Sequence, residues 1–183
     1  AVASVEHEIV VSVSNIVPMT GDPSRTALLV GGTTGDDHII VTTADIPGGY
    51  DVRINHVLLG TFYPTGQILI FSQAGDDNVQ IAGDVALAAW LYGDAGNDRL
   101  KGGGGNDVLL GGSGDDLLVG GSGRDILIGG VGADRIIGNA DDDILVAGSL
   151  TFQDLDTALW AVWREWTSNR SYQERVDNLT GKE

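Results

Sequence analysis

From Gly93 to Val146, large apolar residues arrive in short bursts at a fixed interval. Six phrases of nine residues run without a gap: GDAGNDRLK, GGGGNDVLL, GGSGDDLLV, GGSGRDILI, GGVGADRII and GNADDDILV. The eighth position is always a large aliphatic, at Leu100, Leu109, Leu118, Leu127, Ile136 and Leu145. Positions seven to nine predict a short strand, with the eighth side chain facing one way and its neighbours the other. Such a triplet is too short to bury a core alone. The glycines between triplets suit tight loops with positive φ and close backbone approach. Two phrases therefore make one coil, and the coils stack, with odd-numbered phrases on one sheet and even-numbered phrases on the other.

If position eight points inward, positions seven and nine point out. On the odd sheet these are Arg99, Lys101, Leu117, Val119, Arg135 and Ile137, a mixed set. On the even sheet they are Val108, Leu110, Ile126, Ile128, Ile144 and Val146, all aliphatic. A patch of that kind marks a contact face. Its expected cover is the chain's own C-terminus, and the rival cover is a second subunit. In DLDTALWAVWREW, Leu155, Leu159, Val162, Trp163 and Trp166 recur at helical spacing. SYQE at 171–174 is a capping-box pattern opening a second helix, with Tyr172, Val176 and Leu179 expected inward.

Upstream, YDVRI, HVLLGTFY and QILIFS read as strands, with PTG as a turn. Two weaker phrases, GTTGDDHII (32–40) and SQAGDDNVQ (72–80), keep Gly at position four, Asp at six and an aliphatic at eight. The organisation expected is an N-terminal arm over 1–26, irregular solenoid coils over 27–92, regular nonapeptide coils over 93–148 and helices over 149–183. A separate small β domain over 27–92 is the competing view. In the arm, Val5, Ile9, Val11 and Val13 alternate with mostly polar neighbours and predict a half-buried strand. It shields a sheet edge of its own molecule or adds to the next one.

Charge changes the picture. The formal net charge is −16, from 26 acidic and 10 basic residues, so nucleic acid and anionic lipid are unfavoured partners and cations favoured ones. No stretch is long and apolar enough to insert in a membrane. With no cysteine, disulfides and thiolate metal sites are excluded. The sixth position of every phrase is Asp: Asp98, Asp107, Asp116, Asp125, Asp134 and Asp143. Stacking puts these carboxylates in rows, where they repel strongly unless neutralised. A hard divalent cation with oxygen ligands resolves this, and Ca²⁺ suits carboxylate-plus-carbonyl cages.

These phrases resemble the RTX (repeats-in-toxin) calcium-binding β-roll family, whose repeat reads GGxGxDxUx. The resemblance implies an all-β, right-handed parallel β-roll that orders on binding several Ca²⁺ ions outside the cell. It also implies the six aspartates as carboxylate ligands, with backbone oxygens from the glycines at positions two and four: Gly103, Gly105, Gly112, Gly114, Gly121, Gly123, Gly130 and Gly132. Asp37 and Asp77 are candidate ligands by the same register, an ordinary Asp-rich turn being the alternative. Asn139 and Asp141 depart from the pattern, and Arg124 and Ala133 replace the polar residue at position five.

Catalytic constellations are thin. His7, His38 and His56 form no HExxH motif, and Ser113 and Ser122 do not sit in GxSxG. The expectation is a non-enzymatic, secreted calcium-binding protein of the bacterial cell surface or of extracellular fibres, self-associating through the aliphatic sheet or the N-terminal strand. The alternative is a secretion or stabilising module of a larger RTX enzyme, toxin or adhesin. Trp90, Trp160, Trp163 and Trp166 could stack on carbohydrate, but helical spacing favours packing for the last three. NRS (169–171) and NLT (178–180) fit glycosylation acceptors.

Overall fold

The computed structural model describes residues 13–19, 22–150 and 155–182; Val5, Ile9 and Val11, and the side chains of Val13 and Leu155, lie outside that range. Its strands are β1 (Val13–Met19), β2 (Asp22–Gly31), β3 (His38–Thr43), β4 (Tyr50–Ile54), β5 (Val57–Phe62), β6 (Gln67–Phe71) and β7 (Asn78–Ile81). They continue as β8 (Ala88–Ala95), β9 (Arg99–Lys101), β10 (Val108–Ser113), β11 (Leu117–Gly121), β12 (Ile126–Val131), β13 (Arg135–Asn139) and β14 (Ile144–Val146). Two helices follow, α1 (Leu155–Trp166) and α2 (Tyr172–Thr180). The strands form two seven-stranded sheets, ordered β1-β2-β6-β8-β10-β12-β14 and β13-β11-β9-β7-β3-β4-β5. Even phrases lie in the first sheet and odd phrases in the second. The architecture is an all-β parallel solenoid.

Within the repeats each strand pairs in parallel with the strand two phrases on, so Leu109 stands opposite Leu127 and Leu127 opposite Leu145. Leu100, Leu118 and Ile136 align in the same way on the other sheet. Position eight fills the space between the sheets: Leu100, Leu109, Leu118 and Leu127 are fully buried, in one cluster with Leu28, Ile39, Ile68, Val79 and Leu91. The last coil departs from this rule. Ile136 is half-buried and Leu145 is 49% exposed, because among the described residues no further coil lies over them.

Upstream, β3, β7 and β9 pair in parallel, so GTTGDDHII and SQAGDDNVQ share a sheet with the nonapeptides. The β4–β5 hairpin joins antiparallel beside β3 and ends that sheet. β1 lies antiparallel along β2 of its own molecule and ends the other.

The aliphatic outer face is covered by the chain itself. Val108, Ile126 and Ile128 are buried in a second cluster with Trp90, Leu159 and Trp166, while Leu110, Ile144, Val146, Val162 and Trp163 pack half-buried against it. Trp160 stands 5.0 Å from Trp90 and 5.2 Å from Trp163, ring centre to ring centre. The indole N–H of Trp163 donates to the Asn106 carbonyl at 2.9 Å, and that of Trp166 to the Asp142 carbonyl at 3.0 Å. Leaving six aliphatics wet is costly, and α1 presents the complementary apolar stripe. No bare aliphatic sheet remains among the described residues for a second copy to cover.

The start of α2 carries the expected capping box, Ser171 with Glu174. Its inward face is different from the expectation. Tyr172 and Leu179 are 55% and 36% exposed, Val176 is half-buried, and the buried residue is Arg175. Its guanidinium donates to the Asp142 carboxylate at 2.8 Å and to the Trp166 carbonyl at 2.9 Å. It also lies 4.7 Å from the centre of the Trp166 ring. A charged, stacked and hydrogen-bonded arginine fits this seam better than tyrosine or leucine, because the seam is lined by a carboxylate and by the open carbonyls ending α1. Among the described residues no helix is long and apolar enough to cross a membrane.

Candidate metal centre

Most of the loops repeat one backbone shape with different residues in it, the exceptions being those at Thr33 and Gly35 and at Gly103 and Gly105. Position two takes positive φ at Gly112 (112°), and also at Gln73 (81°), Asp94 (68°) and Asn139 (86°). Position four does so at Gly114 (126°), and at Asp141 (71°) in the last phrase. Asn and Asp tolerate this region better than other non-glycine residues, so the degenerate phrases keep the loop. A Cβ on Gly112 or Gly114 would overlap the carbonyl oxygen of Asp94 or Gly96 in the preceding coil. Loop carbonyls thus point along the stack into the next loop.

The sixth-position aspartates form two ladders. Each backbone N–H donates to Oδ1 of the aspartate one coil on: Asp37 to Asp77 (2.7 Å), Asp77 to Asp98 (2.9 Å), Asp98 to Asp116 (2.7 Å) and Asp116 to Asp134 (3.1 Å). On the other side Ala89 donates to Asp107 (2.7 Å), Asp107 to Asp125 (2.8 Å) and Asp125 to Asp143 (2.9 Å). Oδ1 therefore builds the stack. Oδ2 is left over: in Asp77, Asp98, Asp116, Asp125 and Asp134 it is buried without a hydrogen-bond partner among the described residues.

Each Oδ2 folds back over position one of its own phrase. A Cβ on Gly93, Gly102, Gly111 or Gly120 would collide with Oδ2 of Asp98, Asp107, Asp116 or Asp125 and with the carbonyl of Gly111, Gly120, Gly129 or Gly138 respectively. Position one of these four phrases thus has no room for a Cβ, whereas SQAGDDNVQ places Ser72 there, its hydroxyl donating to the carbonyls of Tyr92 and Gly93 at 3.0 and 3.2 Å. The space at each glycine is flanked by a carboxylate oxygen and a carbonyl oxygen from successive coils. Burial dominates the electrostatics. It pushes the carboxyl of Asp77 up to about 6, those of Asp98 and Asp107 to about 7 and that of Asp125 to about 8. Asp116 and Asp143 are raised for the same reason. Neighbouring carboxylates push Asp77, Asp98 and Asp125 further in the same direction, and the backbone donors of the ladder oppose it.

Two aspartates differ. Asp37 accepts from the Asn55 amide through Oδ1 at 2.7 Å and from the Thr33 N–H through Oδ2. Asp107 accepts from Ala89 and, through Oδ2 at 2.7 Å, from the Gly103 N–H. Both have both oxygens engaged within the chain. Gly103 and Gly105 stack on the irregular turn carrying Val85 and Leu87 rather than on a glycine loop. At the far end Asp134 and Asp143 terminate the ladders, accepting from Asp116 and Asp125.

A parallel ladder at position five escapes sequence reasoning. Side-chain oxygens of Asp36, Asp76, Asn97 and Asp115 accept the N–H of Asp76, Asn97, Asp115 and Ala133 at 2.8–2.9 Å. Asn106 does the same for Arg124 at 2.8 Å. The run of Asp and Asn at that position was the available signal. Arg124 turns its guanidinium to the carbonyls of Trp166 and Ser168 at 3.1 and 2.8 Å, closing the end of α1. His38 begins β3 beside His56, 5.4 Å between ring centres.

Among the described residues no three carboxylate or imidazole side chains converge. Where a loop carries a second aspartate at position five, as at Asp36, Asp76 and Asp115, that side chain accepts a backbone N–H in its own ladder, so the oxygens beside each sixth-position carboxylate are backbone carbonyls. Orphaned buried carboxylate oxygens facing carbonyls fit a hard, oxygen-seeking cation and suit neither zinc nor a redox metal. A parallel solenoid with such loops defines a calcium-binding β-roll.

Residues 88–118 and 119–149 each match the profile of the RTX calcium-binding nonapeptide repeat (4 copies). This part of the chain belongs to the RTX repeat family, whose nonapeptides bind several Ca²⁺ ions. The family's roll is a structural fold, generally without catalysis, and occurs typically in secreted bacterial proteins. Nothing among curated proteins or solved structures matches the chain.

Proposed function

We propose that this chain is a secreted, non-enzymatic structural protein whose roll orders when its buried aspartates meet calcium outside the cell. The observation that supports this is the set of five Oδ2 atoms, in Asp77, Asp98, Asp116, Asp125 and Asp134, buried without a hydrogen-bond partner. An ionised oxygen in such a place costs several kcal/mol unless a cation answers it. Ca²⁺ supplies the positive charge and the flexible oxygen coordination that the loops lack. Asp98, Asp116, Asp125 and Asp77 present carboxylates toward it, together with the carbonyls of the stacked loops. Asp134 and Asp143 do so at the open end. Asp37 and Asp107, with both oxygens held by the chain, serve as fixed ends of the rows.

Folding and binding are then one event. In a calcium-poor compartment the surplus of 16 negative charges opposes collapse. Outside, the fold is drawn by mass action, because only the stacked loops bring carboxylate and carbonyl together. Once the sheets form, the even-phrase aliphatics receive α1 and the roll becomes a rigid body. Far-UV circular dichroism with calorimetric calcium titration tests this reading. Ordering on calcium addition, reversed by chelator, with several ions bound per chain, is the expected result. Identical spectra in calcium and chelator, or no heat of binding, contradict it.

A further inference from the structure

Between α1 and the early strands of the first sheet the structure leaves a cleft. Its floor holds Gln67 and Ala88, paired neighbours that begin β6 and β8, and Asn106 just before β10. Trp160 and Trp163 of α1 wall it on one flank, and Asp22 and Arg25 of β2 on the other. The cavity measures about 760 Å³, a size ordinary for a small-molecule site.

Helix packing uses only part of this surface. Trp163 fixes its indole N–H on the Asn106 carbonyl and meets Trp160 edge-on at 5.2 Å. Both rings stay half-buried, so ring surface is left to the cleft. Gln67 is only 6% exposed, yet its side-chain amide has no hydrogen-bond partner among the described residues. Such an amide is costly to bury unanswered, and the space beside it is the cavity. Arg25 donates Nε and one terminal nitrogen to the carbonyls of Thr65 and Gly66 at 3.2 and 3.3 Å, which fixes its guanidinium. Asp22 accepts the Ser24 N–H through Oδ1 at 3.1 Å. The second terminal nitrogen of Arg25 and Oδ2 of Asp22 have no partner among the described residues.

We infer that this cleft binds a short, uncharged oligosaccharide. A sugar ring has an apolar C–H face and a rim of hydroxyls that both donate and accept. Trp160 and Trp163 offer flat apolar surface for the face. The amide of Gln67, the carboxylate of Asp22 and the guanidinium of Arg25 offer acceptors and donors for the rim, already held in place. A wholly apolar ligand leaves Gln67 unanswered. An anionic one, a nucleotide included, approaches a chain of net charge −16.

The inference goes beyond the calcium reading and takes from it only an ordered roll, so the test runs on the full chain in calcium with circular dichroism beside it. Titration calorimetry uses uncharged trisaccharides of glucose, galactose, mannose and N-acetylglucosamine, with trigalacturonate as the acidic counterpart. At least one uncharged sugar is expected to bind and to change tryptophan emission. Gln67→Leu is expected to weaken that binding by about tenfold or more, with the calcium-induced spectrum and the number of bound ions unchanged. Asp22→Asn keeps the acceptor for Ser24 and is expected to weaken it several-fold. An ordered roll that binds none of the uncharged sugars overturns the inference and leaves the calcium reading standing. So does a Gln67→Leu chain that binds as tightly as the parent, or binding of trigalacturonate alone. A spectrum unmoved by calcium overturns the calcium reading instead, and the sugar titration of that chain still decides the cleft.

Discussion

Replacing Asp125 by asparagine separates the two duties of a ladder carboxylate. Oδ1 accepts the Asp107 N–H at 2.8 Å, and an amide oxygen can keep that bond. Oδ2 is buried with no hydrogen-bond partner among the described residues. Burial, reinforced by Asp107, Asp143 and Asp141, lifts the Asp125 carboxyl from 3.8 to about 8. Without metal, the unfolded chain ionises above 3.8 while the folded chain stays protonated up to about 8. This group's contribution is therefore fully present below pH 3.8 and is lost as pH rises through about 8. The loss runs at about 1.4 kcal/mol per pH unit, or about 4 kcal/mol by pH 7. The Asp125→Asn variant escapes that loss but buries an amide N–H, at about 1–3 kcal/mol. The metal-free variant should thus be more stable than the parent by about 1–3 kcal/mol at pH 7, with the advantage gone near pH 5. In calcium the sign reverses, because the variant has lost an anionic ligand. Urea unfolding followed by circular dichroism, in chelator and in calcium, reads both values. An effect of the same sign in both conditions would refute the assignment of Oδ2 to a cation.

Four further outcomes follow from the geometry. Calcium affinity should rise as pH is raised from 5 to 8, because the carboxyls at about 6 in Asp77, about 7 in Asp98 and about 8 in Asp125 must ionise to bind; titration calorimetry across that range checks it, and a flat profile speaks against these ligands. Gly111→Ala drives a methyl into Asp116 Oδ2 and the Gly129 carbonyl, costing about 1–3 kcal/mol in calcium, measured as a lower thermal midpoint with fewer ions bound. Asn55→Ala leaves an Asp37 oxygen and the His38 N–H without their partner, again about 1–3 kcal/mol in urea unfolding, but with the number of bound ions unchanged. Arg175→Met releases the Trp166 carbonyl and a half-exposed Asp142, so the loss is about 1–2 kcal/mol, seen as a change in tryptophan emission before the roll itself melts.

The repeats made one half of this molecule legible. Aspartate and aliphatic at fixed offsets set the loop, the strand and the coil, so the sheet assignments of β9 to β14 follow from arithmetic alone. Asp37 and Asp77 were harder, because the β4–β5 hairpin stretches their separation to 40 residues where the regular coil uses 18. Each phrase shows the register, but the spacing between them does not show that the two are neighbours in one row. The exposure of Leu145 was hidden for a related reason: periodicity assigns a residue to the core without saying whether another layer lies over it. On α2, apolar spacing pointed to Tyr172 and Leu179, while a tertiary carboxylate at Asp142 and the carbonyls ending α1 selected Arg175. Asn55 left no signal, since one asparagine in a hairpin turn looks like any other.

Crystals grown in calcium, with anomalous differences collected at long wavelength, address the central claim most directly. Peaks should lie between successive loops on both sides of the roll, within coordination distance of Asp98, Asp116 and Asp125 Oδ2. An ordered roll with no anomalous signal in those loops at millimolar calcium would contradict the account.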